Sequence, residues 1–120
     1  MSFADNKPRN VQYIRGTERP ITVAVACVAG DLLTYNAQWE LAIEGTATEC
    51  VVALEDCEAG KEVNAVPFAL ITSFSGATPG GPVCNAAAGA YQEVTGTKVG
   101  IMVSATAGYI LPLLVPATAP

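Results

Sequence analysis

Residues 51–66, VVALEDCEAGKEVNAV, set two Val-rich apolar runs on either side of a polar, glycine-bearing reversal. Val51, Val52, Ala53 and Leu54 form the first run; Val63, Ala65 and Val66 form the second. That is a strand–turn–strand pattern. A helix competes on propensity through residues 54–59. It fails because no apolar positions recur at three-to-four spacing through the acidic block, and Gly60 interrupts it. The rest of the chain repeats the theme of short apolar segments and small-residue turns. No segment supports a helix of ten residues, and residues 86–90 supply at most one helical turn. About nine or ten short strands, with turns roughly every 8–12 residues, describe an all-β chain. The expected body is a small β-sandwich or a β-barrel of short antiparallel strands.

The strands read as follows. Ile21, Val23 and Val25 share one face of a strand that opens after Pro20. Residues 31–35 form the next, and Asn36-Ala37 reverses the chain. On the return, Trp39, Leu41 and Ile43 line one face and Gln38, Glu40 and Ala42 the other, with Trp39 as a core anchor. Phe68, Leu70, Thr72 and Phe74 fall on one face of a later strand, and Pro67 marks a bulge or break before it. The Gly/Pro-rich residues 75–82 form a loop. Strands over 82–85, 90–94, 98–103 and 109–115 complete the chain. Pro112 lacks a donor, so the last should be an edge strand or carry a bulge.

A length of 120 residues is one domain. Residues 1–19 are expected as an extended N-terminal arm and residues 20–120 as the β domain. The arm is polar and without a consistent period. Val11, Tyr13 and Arg15 alternate with Gln12, Ile14 and Gly16, so part of it suits addition to a sheet edge. A disordered tail and an arm that orders on a partner both fit its composition. Lys7, Arg9, Arg15 and Arg19 against Asp5 and Glu18 give the arm a charge of +2. Lys61 and Lys98 against nine acids give the body −7. Only 14% of residues are charged, which makes a bland surface suited to burial against a partner. A pI near 4.4 and four dispersed basic residues leave no footprint for nucleic acid.

The chain has no histidine, which removes His-based triads, His metal sites and the usual pH switch. Cys27, Cys50, Cys57 and Cys84 form no C-x-x-C pair. Residues 1–19 lack the apolar core of a signal peptide, so a reducing compartment and four thiols are expected rather than two disulfides. The run 101–115 is broken by Gly108 and Pro112 and too short to span a membrane. Glu55, Asp56 and Glu58 cluster without the spacing of a calcium loop and read as a solvated acidic turn. No serine lies in G-x-S-x-G, and a cysteine nucleophile would lack its histidine. No enzyme, cofactor or metal is expected.

Several phrases recur in order: Ala29-Gly30-Asp31-Leu32-Leu33, Cys50-Val51-Val52-Ala53-Leu54-Glu55-Asp56 and Ala59-Gly60-Lys61-Glu62-Val63. Then come Gly80-Gly81-Pro82-Val83, Asn85-Ala86-Ala87-Ala88-Gly89, Val99-Gly100-Ile101-Met102-Val103 and Ala107-Gly108. The run from Ala29 to Val115 that holds them is about three-quarters of the chain, and their order resembles the capsid cement, or head decoration, proteins of tailed bacteriophages. The resemblance implies a tulip-like β body on the virion exterior, made in the host cytoplasm. It implies a homotrimer that binds the major capsid protein and cross-bridges neighbouring subunits. An arm reaching over the shell would make its contacts through Phe3, Val11, Tyr13, Ile14 and Arg15. The alternative is a β module of a virion fibre or adhesin that binds a host glycan, with Tyr91 and Tyr109 as its exposed loop aromatics.

Overall fold

Leu32 and Leu33 are adjacent and both fully buried. Successive residues of a strand point to opposite faces, so a strand carrying such a pair must be covered on both sides. The fold does this with two cores. The computed structural model describes residues 3–35, 37–42, 50–93 and 97–112. Thirteen short strands run through them. They are β1 (Ala4–Asp5), β2 (Val11–Tyr13), β3 (Arg19–Thr22), β4 (Leu32–Tyr35), β5 (Trp39–Leu41), β6 (Cys50–Ala53) and β7 (Glu62–Val66). Then follow β8 (Ala69–Ile71), β9 (Phe74–Ser75), β10 (Pro82–Asn85), β11 (Tyr91–Gln92), β12 (Lys98–Met102) and β13 (Gly108–Ile110). One 3-10 turn, Ala87–Gly89, joins β10 to β11.

The strands form a five-stranded sheet, β3-β7-β6-β4-β5, a six-stranded sheet, β11-β10-β12-β13-β8-β2, and the pair β1-β9. All these pairings are antiparallel, and the architecture is that of a small sandwich. The main core holds Leu32, Val52 and Val66 from the five-stranded sheet. Ile71, Val83, Val99, Met102 and Ile110 join it from the six-stranded one, with Phe3 and Phe74. A smaller core covers the other face of the five-stranded sheet, with Val23, Cys27, Leu33, Ala53 and Val63. The period of two sorts neighbours between them: Val52 goes to the main core, Val51 and Ala53 to the smaller one.

The strand–turn–strand at 51–66 forms as β6–β7, with Val52 opposite Val66 and Ala53 opposite Ala65. Its reversal is solvated as expected, with Glu55, Asp56 and Glu58 exposed, and Asp56 also accepts a hydrogen bond from the Ala29 amide at 3.0 Å. Pro67 lies where the chain crosses from one sheet to the other.

Four expectations need correction. First, residues 3–22 are not an arm standing off the body. β1 pairs with β9, β2 with β8 and β3 with β7, and a boundary after residue 19 would cut β3. The segment stays on the body because Phe3 is 7% exposed and stacks edge-on against Phe74, centroids 5.0 Å apart. Second, the 68–74 run does not keep one face, because it breaks between β8 and β9. Ala69 and Ile71 are the buried residues, while Phe68, Leu70 and Thr72 are half-buried. Thr72 and Ser73 are held by Asn10 and Asn6 instead, which lets Phe74 turn inward on β9. Third, β13 lies between β12 and β8. Pro112 falls beyond its end, so its missing donor costs the ladder nothing. Fourth, the Ile21–Val23 alternation stops before Val25, which is exposed. Trp39 and Leu41 do share a face, but they are half-buried on the smaller core. The expectations for Ile43, the 44–48 loop, Val94 and residues 113–115 lie outside the described residues.

Candidate partner-binding face

An antiparallel sheet with one face on a core normally turns polar residues to water on the other. The six-stranded sheet does not. Its register sets Gln12, Leu70, Tyr109, Ile101 and Pro82 opposite one another across β2, β8, β13, β12 and β10. These positions alternate with the buried Ile71, Gly108 and Met102, so they line the outward face. None of them is charged. Ile101 is 41% and Tyr109 36% exposed.

At the β2 end of the row a shallow groove of about 290 Å³ is lined by Tyr13, Ile14, Phe68, Leu70 and Tyr109, among others. Phe68 stacks on Tyr109 at 5.4 Å. Ile14, 57% exposed, is fixed there by a closed turn. The Thr17 amide and hydroxyl both donate to its carbonyl, at 3.2 and 2.6 Å. Among the described residues β2 pairs only with β8, so its outer edge is open to an added strand.

A buried ionic cluster holds β1 and β2 in place. The Arg9 side chain is fully buried and donates through Nε and NH2 to the two oxygens of Asp5, each at 2.8 Å. Its NH1 donates to Asp31 at 2.7 Å and to the Ala29 carbonyl at 3.2 Å. Its guanidinium lies over the Tyr91 ring, 5.3 Å from the centroid. The carboxylates are used again: Asp31 accepts from the Val28 amide and Asp5 from the Tyr91 amide. Burial alone would lower the Arg9 pKa, but the hydrogen bonds it donates to both aspartates outweigh it, and the guanidinium is held charged above its ordinary range. Gly30 closes the cluster with φ +85, and a Cβ there would collide with the Arg9 side chain.

Tyr91 donates its hydroxyl to the Gly30 carbonyl at 2.6 Å. Burial pushes its pKa well above 10, although Arg9 pulls the other way. Burial also pushes the Cys27 thiol up to about 11. Both are acids whose folded pKa is raised, so above pH 9 to 10 the unfolded chain loses protons that the folded chain keeps. Their stabilisation is complete below about pH 9 and is lost as pH rises. Tyr91→Phe should cost about 1–2 kcal/mol at neutral pH through the orphaned carbonyl. It should also flatten the decline above pH 10, whose slope per group is at most about 1.4 kcal/mol per pH unit. Urea unfolding at pH 7 and at several pH values above 10 checks both.

The structure divides the five candidate contacts of the N-terminal segment. Tyr13 and Ile14 line the groove at the β2 end, Tyr13 from the other side of β2 to Gln12 and opposite the buried Ala69, and Arg15 is exposed in the turn beside it. Phe3 is core, and Val11 packs against the core; neither is available to a partner on this surface. Tyr91 is 4% exposed and is no loop aromatic. Tyr109 is exposed but belongs to β13. Leu70, Ile101 and Tyr109 complete the face, and the sequence signal for them is alternation within 69–71, 98–102 and 108–110. No family model, curated protein or solved structure matches this chain.

Proposed function

We propose that the chain is a structural virion protein of the capsid-decoration kind. It binds the outer surface of an assembled phage capsid as a trimer and cross-bridges neighbouring major capsid subunits. It acts by binding, without chemistry. The observation that carries the reading is the uncharged, apolar outward row Leu70–Tyr109–Ile101–Pro82 on a sheet face that water would otherwise claim. Exposed apolar surface of this kind marks contact sites. Several such faces on one trimer would gain by multivalency what no single contact provides. A glycan-binding module would need exposed loop aromatics, and the burial of Tyr91 weighs against it.

Deletion of residues 1–18 would remove Phe3, Arg9, β1 and β2 from the fold and so would report on stability rather than on the face. Point substitutions on the face avoid that problem. Ile101→Glu with Tyr109→Glu should lower occupancy of assembled shells by about 30-fold or more, the equivalent of about 2 kcal/mol. The two glutamates face each other across β12 and β13 and Tyr109 gives up its stack on Phe68, so the Tm of the free protein should fall modestly, and occupancy is compared well below it. Light scattering with and without shells gives the stoichiometry. Wild-type protein that neither trimerises nor binds shells would remove the capsid reading; unchanged occupancy of the double variant would move the contact to another face.

A further inference from the structure

The segment between β3 and β4 and the turn between β6 and β7 meet at one isolated antiparallel bridge, and its two residues are Cys27 and Cys57. Each amide donates to the other's carbonyl at 2.9 Å. In such a hydrogen-bonded pair the Cα atoms stand about 5.5 Å apart. A disulfide spans roughly 4.4–6.8 Å between Cα atoms. Directly opposed residues project to the same side, and both side chains pack in the smaller core: Cys27 is buried, Cys57 half-buried at its margin. The bridge lies outside the regular ladders, so the two backbones can close on each other without breaking a sheet. In the strand registers Cys50 stands opposite Thr34, and Cys84 opposite Gln92 and Lys98.

We propose that Cys27 and Cys57 form a dithiol–disulfide site that closes by exchange with a small-molecule disulfide of the glutathione type. The accessible Cys57 sulfur attacks one sulfur of the reagent. One thiol leaves with the Cys57 proton, and a mixed disulfide remains on Cys57. The Cys27 sulfur then attacks Cys57 Sγ, and the second thiol leaves with the Cys27 proton. Two protein thiols are oxidised by two electrons, and one reagent disulfide is reduced to two thiols. The product closes a loop of roughly thirty residues. It ties the backbone at Val28 and Ala29, beside the Arg9 cluster, to the acidic turn. The body is thereby stiffer in an oxidising medium than in a reducing one.

The experiment equilibrates the native full chain in mixtures of oxidised and reduced glutathione, quenches with acid, alkylates free thiols and reads masses. A glutamyl endopeptidase cuts after Glu40, Glu49, Glu55 and Glu58, which separates Cys27, Cys50 and Cys57 onto different peptides. The expected result is loss of two hydrogens from the intact chain and one linked pair, Cys27 to Cys57, with Cys50 and Cys84 alkylated. The selectivity should vanish in concentrated urea, and the oxidised form should melt roughly 5–15 °C higher. An intact mass unchanged in pure oxidised glutathione, a glutathione adduct that never resolves, or a link through Cys50 or Cys84 would each overturn the proposal.

Discussion

Arg9→Met should lower the unfolding free energy by about 3–5 kcal/mol, the cost of leaving buried charge without its partner. Asp5 and Asp31 are 11% and 5% exposed at their side chains. Without the guanidinium they become two anions facing one another across a site that water cannot fill. Methionine replaces much of the packing, so the loss reports charge more than volume. Arg9→Lys keeps the charge but cannot reproduce three donors to two carboxylates in a fixed fork, so it should fall between wild type and Arg9→Met. Urea unfolding of the three proteins at pH 5 and pH 7 tests the order. A loss below about 1 kcal/mol for Arg9→Met would mean that burial of the cluster already cancels its attraction. Hydrogen exchange adds a local readout: the β2 amides should lose protection before those of β6 and β7, since Arg9 links β2's segment to the body.

That cluster shows where the sequence was legible and where it was not. Residues 51–66 could be read because their polarity switches cleanly from apolar to acidic and back, which leaves one economical structure. The N-terminal segment was legible only at Val11–Tyr13, whose alternation marked the sheet-edge strand that β2 is; the rest of its attachment depends on partners far along the chain: Phe3 on Phe74, Arg9 on Asp31, Asn10 on Ser73. Four basic residues in a polar stretch look like a solvated arm until Arg9 is seen between two carboxylates. The outward face failed for a different reason. In KVGIM and ALI both phases of the alternation carry apolar residues, so period two says that a strand is present but not which side is inside. In 68–74 the alternation put Phe68, Leu70 and Phe74 on one face, while the register of β8 against β13 buries Ala69 and Ile71 and the break before β9 turns Phe74 inward. A face meant for a partner has the same composition as a core.

Gly100→Ala should cost about 3 kcal/mol, with a change in the partner-binding face as well as in stability. Gly100 sits in β12 between Val83 of β10 and Ile110 of β13. Its φ is not in the positive range, so the constraint is one of approach rather than handedness. A Cβ built there overlaps the Tyr109 carbonyl oxygen, and lies 3.0 Å from the Tyr109 carbonyl carbon and 3.2 Å from the Ile110 Cα. All three are backbone atoms of the neighbouring strand, so no side-chain rotation relieves the clash, and β12 and β13 must separate. β13 in turn pairs with β8, which pairs with β2. The displacement therefore reaches Tyr109, Leu70 and the groove beside Tyr13 and Ile14. Thermal and urea unfolding give the stability loss. On the proposed function, shell occupancy measured well below the variant's Tm should fall too. Ile71→Val gives the control: it trims one buried methylene at a cost of about 1 kcal/mol without moving a strand, and should leave occupancy unchanged. If Gly100→Ala were as mild as Ile71→Val, the approach of β12 to β13 would be looser than the geometry requires. If it destabilised the chain but bound shells normally, the contact face would lie away from β13.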